Sequence, residues 1–66
     1  MRVQINGESR DVPDTIDLAG LLEHLALPDR RIAVELNRQV VRRSEWPDRM
    51  ISEGDKIEIV HFVGGG

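Results

Sequence analysis

The feature that most constrains the fold is one helical leucine pattern with strand patterns on both sides of it. The four leucines between residues 18 and 25 follow the i, i+3, i+4, i+7 spacing of a single helical face. Asp14 or Thr15 is predicted to cap this helix, with Asp17 in its first turn, and Pro28 to follow its end. One helix between strands predicts an α+β domain, with the helix packed on one face of a sheet.

The strand patterns predict two hairpins and one final strand. Residues 2–5 alternate in polarity, Asn6-Gly7 is a strong hairpin-turn signal, and residues 8–13 form a polar return strand at a sheet edge. Residues 31–36 alternate too, and a two-residue turn at 37–38 would lead to a return strand over 39–42. The apolar run over 56–63 predicts a central strand, parallel to the first.

This order of elements fits a β-grasp arrangement, a mixed sheet of about four to five strands with one main helix on one face. We predict a single domain over residues 1–62 and a flexible C-terminal tail over 63–66 that carries the glycines. Trp46 is expected to cover one end of the core, with an interface hot spot as the alternative, and His24 is expected to be solvated or partly packed.

Composition excludes several classes of function. The chain has no cysteine, which excludes disulfides, thiolate nucleophiles and zinc–thiolate sites, and its two histidines lie far apart, which argues against a metal site. Nine basic and 12 acidic residues give a net charge of -3, which argues against nucleic-acid binding. The first residues lack the apolar segment of a signal peptide, and no apolar run is long enough to span a bilayer. The expected location is the cytoplasm, with no membrane partner.

The tail is the strongest functional signal. The final strand runs directly into Gly64, Gly65 and Gly66. Glycine lacks a Cβ, so such a tail can enter a narrow channel in a partner enzyme, where the terminal carboxyl carbon can be activated. Extended, residues 63–66 span at most roughly 13 Å at ~3.3 Å per residue. A frayed end and an expression scar are the alternatives for a glycine run alone.

A docking patch is predicted beside the tail. Alternation places Ile57 and Ile59 towards the helix, which sends Val60 and Phe62 to the other face of the sheet. The predicted pairing of residue 35 with Val40 brings Val40 to the same outer face. We therefore expect Val40, Val60 and Phe62, with the adjoining Val63, to bind a partner; ordinary exposed strand residues are the alternative.

Four segments together resemble the ThiS family, the ubiquitin-like sulfur-carrier proteins of thiamin biosynthesis. These segments are the Ile-Ala-Val-Glu-Leu-Asn run at 32–37, the Val-Val-Arg-Arg-Ser-Glu-Trp segment at 40–46, the Gly-Asp turn leading into the last strand at 53–60, and the terminal Gly-Gly. The similarity extends over essentially the whole chain, and the amino-terminal hairpin and helix match in pattern.

The resemblance implies a carrier that has no active site of its own and binds no cofactor. An adenylating enzyme of the ubiquitin-activating type would use Mg-ATP to convert the Gly66 carboxylate to an acyl-adenylate. A cysteine-desulfurase relay would then supply sulfur, giving a thiocarboxylate that thiazole synthase consumes. The free carrier is expected to be a monomer.

Three other functions stay open on the residues. The small subunit of molybdopterin synthase has the same fold and activation chemistry but a different sulfur acceptor. A ubiquitin-like modifier would instead join Gly66 to lysine. A plain β-grasp interaction module would have an inert tail. An enzyme in its own right is disfavoured because no acid/base pair or nucleophile arrangement is visible.

Overall fold

The fold is a five-stranded mixed sheet with one α-helix on one face. The structure is a computed structural model that describes residues 1–27 and 30–62. The strands form the order β2-β1-β5-β3-β4, with β1 and β5 parallel and the other neighbours antiparallel. In chain order the elements are β1 (Arg2–Ile5), β2 (Glu8–Asp11), α1 (Leu18–His24), β3 (Ile32–Leu36), β4 (Gln39–Val41), a 3-10 helix (Arg43–Asp48) and β5 (Lys56–His61).

The α+β prediction and the β-grasp arrangement are confirmed. Five strands lie at the upper end of the predicted four to five, and the final strand is central and parallel to the first, as its apolar run indicates. β5 ends at His61, two residues before the predicted end. Val63 and the three glycines of the predicted tail lie outside the described residues, as does Pro28.

Both predicted two-residue turns close their hairpins. Asn6 and Gly7 have φ angles of 50° and 83°, and Asn37 and Arg38 have φ angles of 52° and 70°. Two consecutive positive φ angles match the right-handed twist of the flanking strands. The second turn pairs Glu35 with Val40, the register that the sequence predicts.

The core lies between α1 and the inner face of the sheet. Strand β3 alternates buried and exposed residues along its whole length, so one face packs against the helix and the other faces solvent. Trp46 is buried as predicted, and its Nε1–H donates to the carbonyl of Val41 at 3.0 Å. The buried apolar residues are Val3, Ile5, Val12, Leu18, Leu21, Leu22, Ile32, Val34, Leu36, Val41, Trp46, Ile51, Ile57 and Ile59.

The predicted helix cap is wrong. Asp17 caps α1, and its Oδ1 accepts the backbone N–H of Gly20 at 2.7 Å. Thr15 has a φ of 57°, and Asp14 accepts the N-terminal ammonium instead. The physical reason is tertiary, since backbone hydrogen bonds between residues 16–18 and residues 49–51 keep the chain extended as far as Asp17.

Candidate functional site

The outer face of the sheet carries the predicted docking residues. Val40 is 72% exposed, Val60 is 58% exposed and Phe62 is 48% exposed. Val40 and Val60 belong to strands whose other face is buried in the core, so their exposure follows from the alternation of the strand, and Phe62 directly follows the end of β5. The structure confirms that the three side chains are exposed; their role in binding a partner stays a prediction.

The structure brings two of these residues closer together than the third. Val60 lies near the end of β5 and Phe62 directly follows that strand. The Phe62 N–H donates to the Arg31 carbonyl at 2.9 Å, which continues the pairing beyond the ends of β5 and β3. Val40 lies on β4, and β3 separates it from β5. Two strand spacings amount to roughly 9.5 Å, so an occupant of this face must cover β3 to contact both valines.

Sequence reasoning missed one residue of this face. Ala33 is exposed and pairs directly with Val60 across β3 and β5. The alternation with Ile32 and Val34 already indicates an outward position. Which residue lies beside Ala33 on the next strand depends on strand order, and the local sequence pattern does not reveal strand order. Ala33 makes the face beside Val60 low and apolar, which favours close approach of a partner.

Two asparagine side chains fix the strand that leads to the tail. The Asn6 Oδ1 accepts the Ile59 N–H at 2.7 Å, and its Nδ2 donates to the Ile59 carbonyl at 3.2 Å. The Asn37 Oδ1 accepts the Lys56 N–H at 3.0 Å at the start of β5. The sequence indicates both asparagines as turn residues, and these contacts add a second role. They hold β5 from both sides.

The amino-terminal ammonium forms an ion pair that is separate from the outer face of the sheet. The Met1 ammonium lies 2.8 Å from Asp14 Oδ1. The hydrogen bond from the ammonium lowers the pKa of Asp14, and the same bond raises the pKa of the ammonium. This pair joins the start of β1 to the segment before α1, and it contributes to the fold rather than to the outer face.

A concave groove lies on the other side of the molecule, between α1 and the 3-10 helix. It encloses about 530 Å³, and Ala19, Leu22 and Trp46 contribute to its lining. The guanidinium of Arg43 lies 5.6 Å from the centre of the Trp46 ring, within the range of a cation–π contact. Within residues 1–27 and 30–62, no cluster of three His, Cys, Asp or Glu side chains is placed to hold a metal ion.

In the part of the chain that the structure describes, no helix is long and apolar enough to cross a membrane.

Comparison with known proteins gives a family match along almost the whole chain. A family model described as the ThiS family matches residues 3–66. The sulfur carrier protein ThiS of Bacillus subtilis is 36% identical over 67 residues, which cover 97% of this chain and 98% of that protein. A crystal structure of the thiamine biosynthesis protein ThiS from Geobacter metallireducens superposes with a TM-score of 0.88 at 29% identity, covering 100% of both chains.

A longer relative is also similar. Thiazole synthase of Paramagnetospirillum magneticum is 39% identical over 66 residues, covering 100% of this chain but 20% of that protein. The chain therefore spans about a fifth of the length of this relative. Since the family match runs from residue 3 to residue 66, and a ThiS structure has the same ubiquitin-like β-grasp fold, this chain belongs to the ThiS family.

Proposed function

We propose that this chain is a sulfur carrier of thiamin biosynthesis whose Gly66 carboxylate is converted to a thiocarboxylate. The observation that carries the proposal is the extent of the family match, which continues through the glycines to residue 66. The Bacillus subtilis relative of almost the same length, named as a sulfur carrier protein, supports the same function.

The proposed chemistry has two steps, both performed by partner enzymes. The Gly66 carboxylate attacks the α-phosphorus of Mg-ATP, so that a C–O–P mixed anhydride forms and pyrophosphate leaves. In the second step the terminal sulfur of a persulfide on the cysteine-desulfurase relay attacks the carbonyl carbon and displaces AMP, and a thiol of the partner then cleaves the S–S bond of the resulting acyl disulfide. This releases the thiocarboxylate and leaves a disulfide on the partner. Adenylation is needed because a carboxylate is a poor electrophile, whereas an acyl-adenylate carries a good leaving group.

The role of this chain is recognition and delivery. The folded domain presents its outer face to the adenylating enzyme, and residues 63–66 carry the carboxylate into that enzyme's active site. Val60 and Phe62 are exposed in the last residues before the tail, and Val40 is exposed on the same face two strands away, which supports docking through this face. The phosphates and the magnesium ion belong to the adenylating enzyme, so the carrier acts as a co-substrate.

Thiazole synthase is the proposed acceptor of the sulfur. The relative from Paramagnetospirillum magneticum bears that name and contains a segment similar to this whole chain. A carrier-like segment within such a protein favours thiazole over molybdopterin as the destination of the sulfur.

The direct test is the intact mass of the chain after co-expression with its adenylating enzyme and sulfur relay, followed by fragmentation of the C-terminal peptide. We expect one oxygen of Gly66 to be replaced by sulfur. Oxidation of Met50 must be excluded, because this side chain is 52% exposed and gains the same nominal mass on oxidation. An unmodified Gly66 beside an active adenylating enzyme would contradict the proposal, and glycine-linked lysines would indicate a protein modifier.

Two variants separate the roles of the tail and the outer face. Gly66→Val should fold and bind but be poorly activated, because a β-branched side chain crowds a channel that fits glycine.

Phe62→Ser should fold and bind the adenylating enzyme more weakly. Ser52→Ala, an exposed change away from both regions, is the control for ordinary surface substitution. Wild-type binding by Phe62→Ser would refute docking at this residue.

A further inference from the structure

Two carboxylates face each other on the outer side of the sheet. The antiparallel register of β3 and β5 pairs Glu35 directly with Glu58, and both are exposed. Opposed like charges on a sheet destabilise it. In residues 1–27 and 30–62, the ion pairs are Met1–Asp14 and Arg2–Asp11, so neither of these glutamates belongs to a described ion pair.

The two glutamates lie within the apolar docking face. Val40 pairs with Glu35 on its β4 side, and Val60 lies two positions beyond Glu58 on β5. Ala33, opposite Val60, is a further apolar residue of this face, and Lys56 lies on the same face two positions before Glu58. A partner that covers both valines must cross β3 beside Glu35, and it then also contacts Glu58, which is paired with Glu35 and lies two positions before Val60.

Covering two carboxylates without a counter-charge is unfavourable, since buried charges require pairing and hydrogen bonding. A planar guanidinium donates several N–H groups in one plane and suits two neighbouring carboxylates better than a neutral group does. The charge pattern of the face thus specifies the chemistry of its occupant.

We propose that the outer face binds a protein surface that places a basic side chain, arginine in preference to lysine, between Glu35 and Glu58 while apolar groups cover Val40 and Val60. This inference rests on the proposed function, and it identifies the occupant as the adenylating enzyme. The destabilising pair is retained in the free carrier because binding neutralises it.

The proposal predicts opposite effects on stability and binding. Glu35→Gln and Glu58→Gln keep side-chain size and remove the repulsion, so each should raise the Tm of the free chain by about 1–5 °C. Each should also weaken binding to the adenylating enzyme by about tenfold or more, because it leaves the partner's cation without its full complement of charge. A residue that only stabilises the fold would change both quantities in the same direction.

The experiment measures the Kd of full-length wild type, both single variants and the double variant with the adenylating enzyme at low and high salt. Glu23→Gln, an exposed glutamate on α1, is the matched control and should bind like wild type. We expect the salt dependence of binding to be smaller for the double variant than for wild type, since a charge contact is lost.

The outcomes separate this inference from the proposed function. If wild type is adenylated and the glutamine variants bind as tightly as Glu23→Gln, the inference is wrong and the carrier function stands. If wild type is neither bound nor adenylated, both fail. If the variants lose binding to thiazole synthase but not to the adenylating enzyme, the choice of occupant is overturned.

Discussion

The two faces of the sheet are formed by the same strands, but the residues of one face are buried against the helix and those of the other are exposed. On β5, Ile59 is 7% exposed and packs against the helix side, whereas its neighbour Val60 is 58% exposed on the outer side. β3 repeats the contrast, with buried aliphatic residues alternating with Ala33 and Glu35. The contrast teaches that one strand can supply the core with one set of residues and leave the other set free for a partner.

The largest expected effect comes from truncating consecutive residues on opposite faces. Ile59→Ala should lower the free energy of unfolding by about 2–5 kcal/mol, because it leaves a cavity in the core. Val60→Ala should cost less than about 1 kcal/mol, since its side chain is exposed, and should weaken partner binding instead. Chemical denaturation and binding of both variants test the contrast. Equal loss of stability would show that the outer face is part of the stabilising structure.

A second prediction concerns the side-chain hydrogen bonds of Asn6, which connect the turn after β1 to β5. Asn6→Gly keeps the positive φ of the turn but removes both side-chain hydrogen bonds to Ile59. We expect a loss of about 1–3 kcal/mol, because the half-buried Ile59 groups lose their partners. Asn6→Asp keeps the acceptor for the Ile59 N–H and should lie between Asn6→Gly and wild type. Denaturant unfolding measures all three, and a fully stable Asn6→Gly would contradict the prediction.

A stabilising change is expected at the edge hairpin. Arg38 has a φ of 70°, a conformation that costs a residue with a Cβ about 1–2 kcal/mol. Arg38→Gly should therefore raise the free energy of unfolding by about 0.5–1 kcal/mol, after the larger chain entropy of glycine is subtracted. Gln39→Gly, one residue later in β4, is the matched control and should destabilise.

The smallest effect is the pH dependence of the Met1–Asp14 pair. The pKa of Asp14 is lowered from 3.8, so its stabilisation is present above pH 3.8 and is lost as pH falls through the lowered pKa. The ammonium pKa is raised from 8.0, so its stabilisation is present below pH 8.0 and is lost as pH rises through the raised pKa. Asp14→Asn should lower the Tm between pH 3.8 and pH 8.0, and it should weaken the dependence of Tm on pH below and above that range. Identical pH profiles for the two proteins would contradict the prediction.

Much of the fold is predictable because its signals are local. Alternation in residues 32–36 assigns the two faces of β3, and Asn6-Gly7 specifies a turn that needs two positive φ angles. The apolar character of β5 indicates its central position. Each of these signals depends on neighbours within a few residues, so a single sequence contains them.

The helix cap shows where local reasoning fails. Asp14, Thr15 and Asp17 are all acceptable N-cap residues, and propensity does not choose among them. Backbone pairing with residues 49–51 makes the choice. The segment before the helix also explains Gly20. A Cβ at this position would lie 3.0 Å from Ile16 Cγ1, so the close packing that glycine allows offsets its cost in a helix.

Some features of the candidate site are likewise predictable from the sequence, and others are not. Sequence alone determined that Val40, Val60 and Phe62 lie on the outer face and that the chain ends in glycines. Only the tertiary structure placed Ala33 beside Val60, set Glu35 against Glu58, and tied Asn6 to the strand that leads to Gly66. The reason is physical, because side-chain direction follows from the period of a strand, whereas neighbours across a sheet follow from strand order and register, which distant segments decide together.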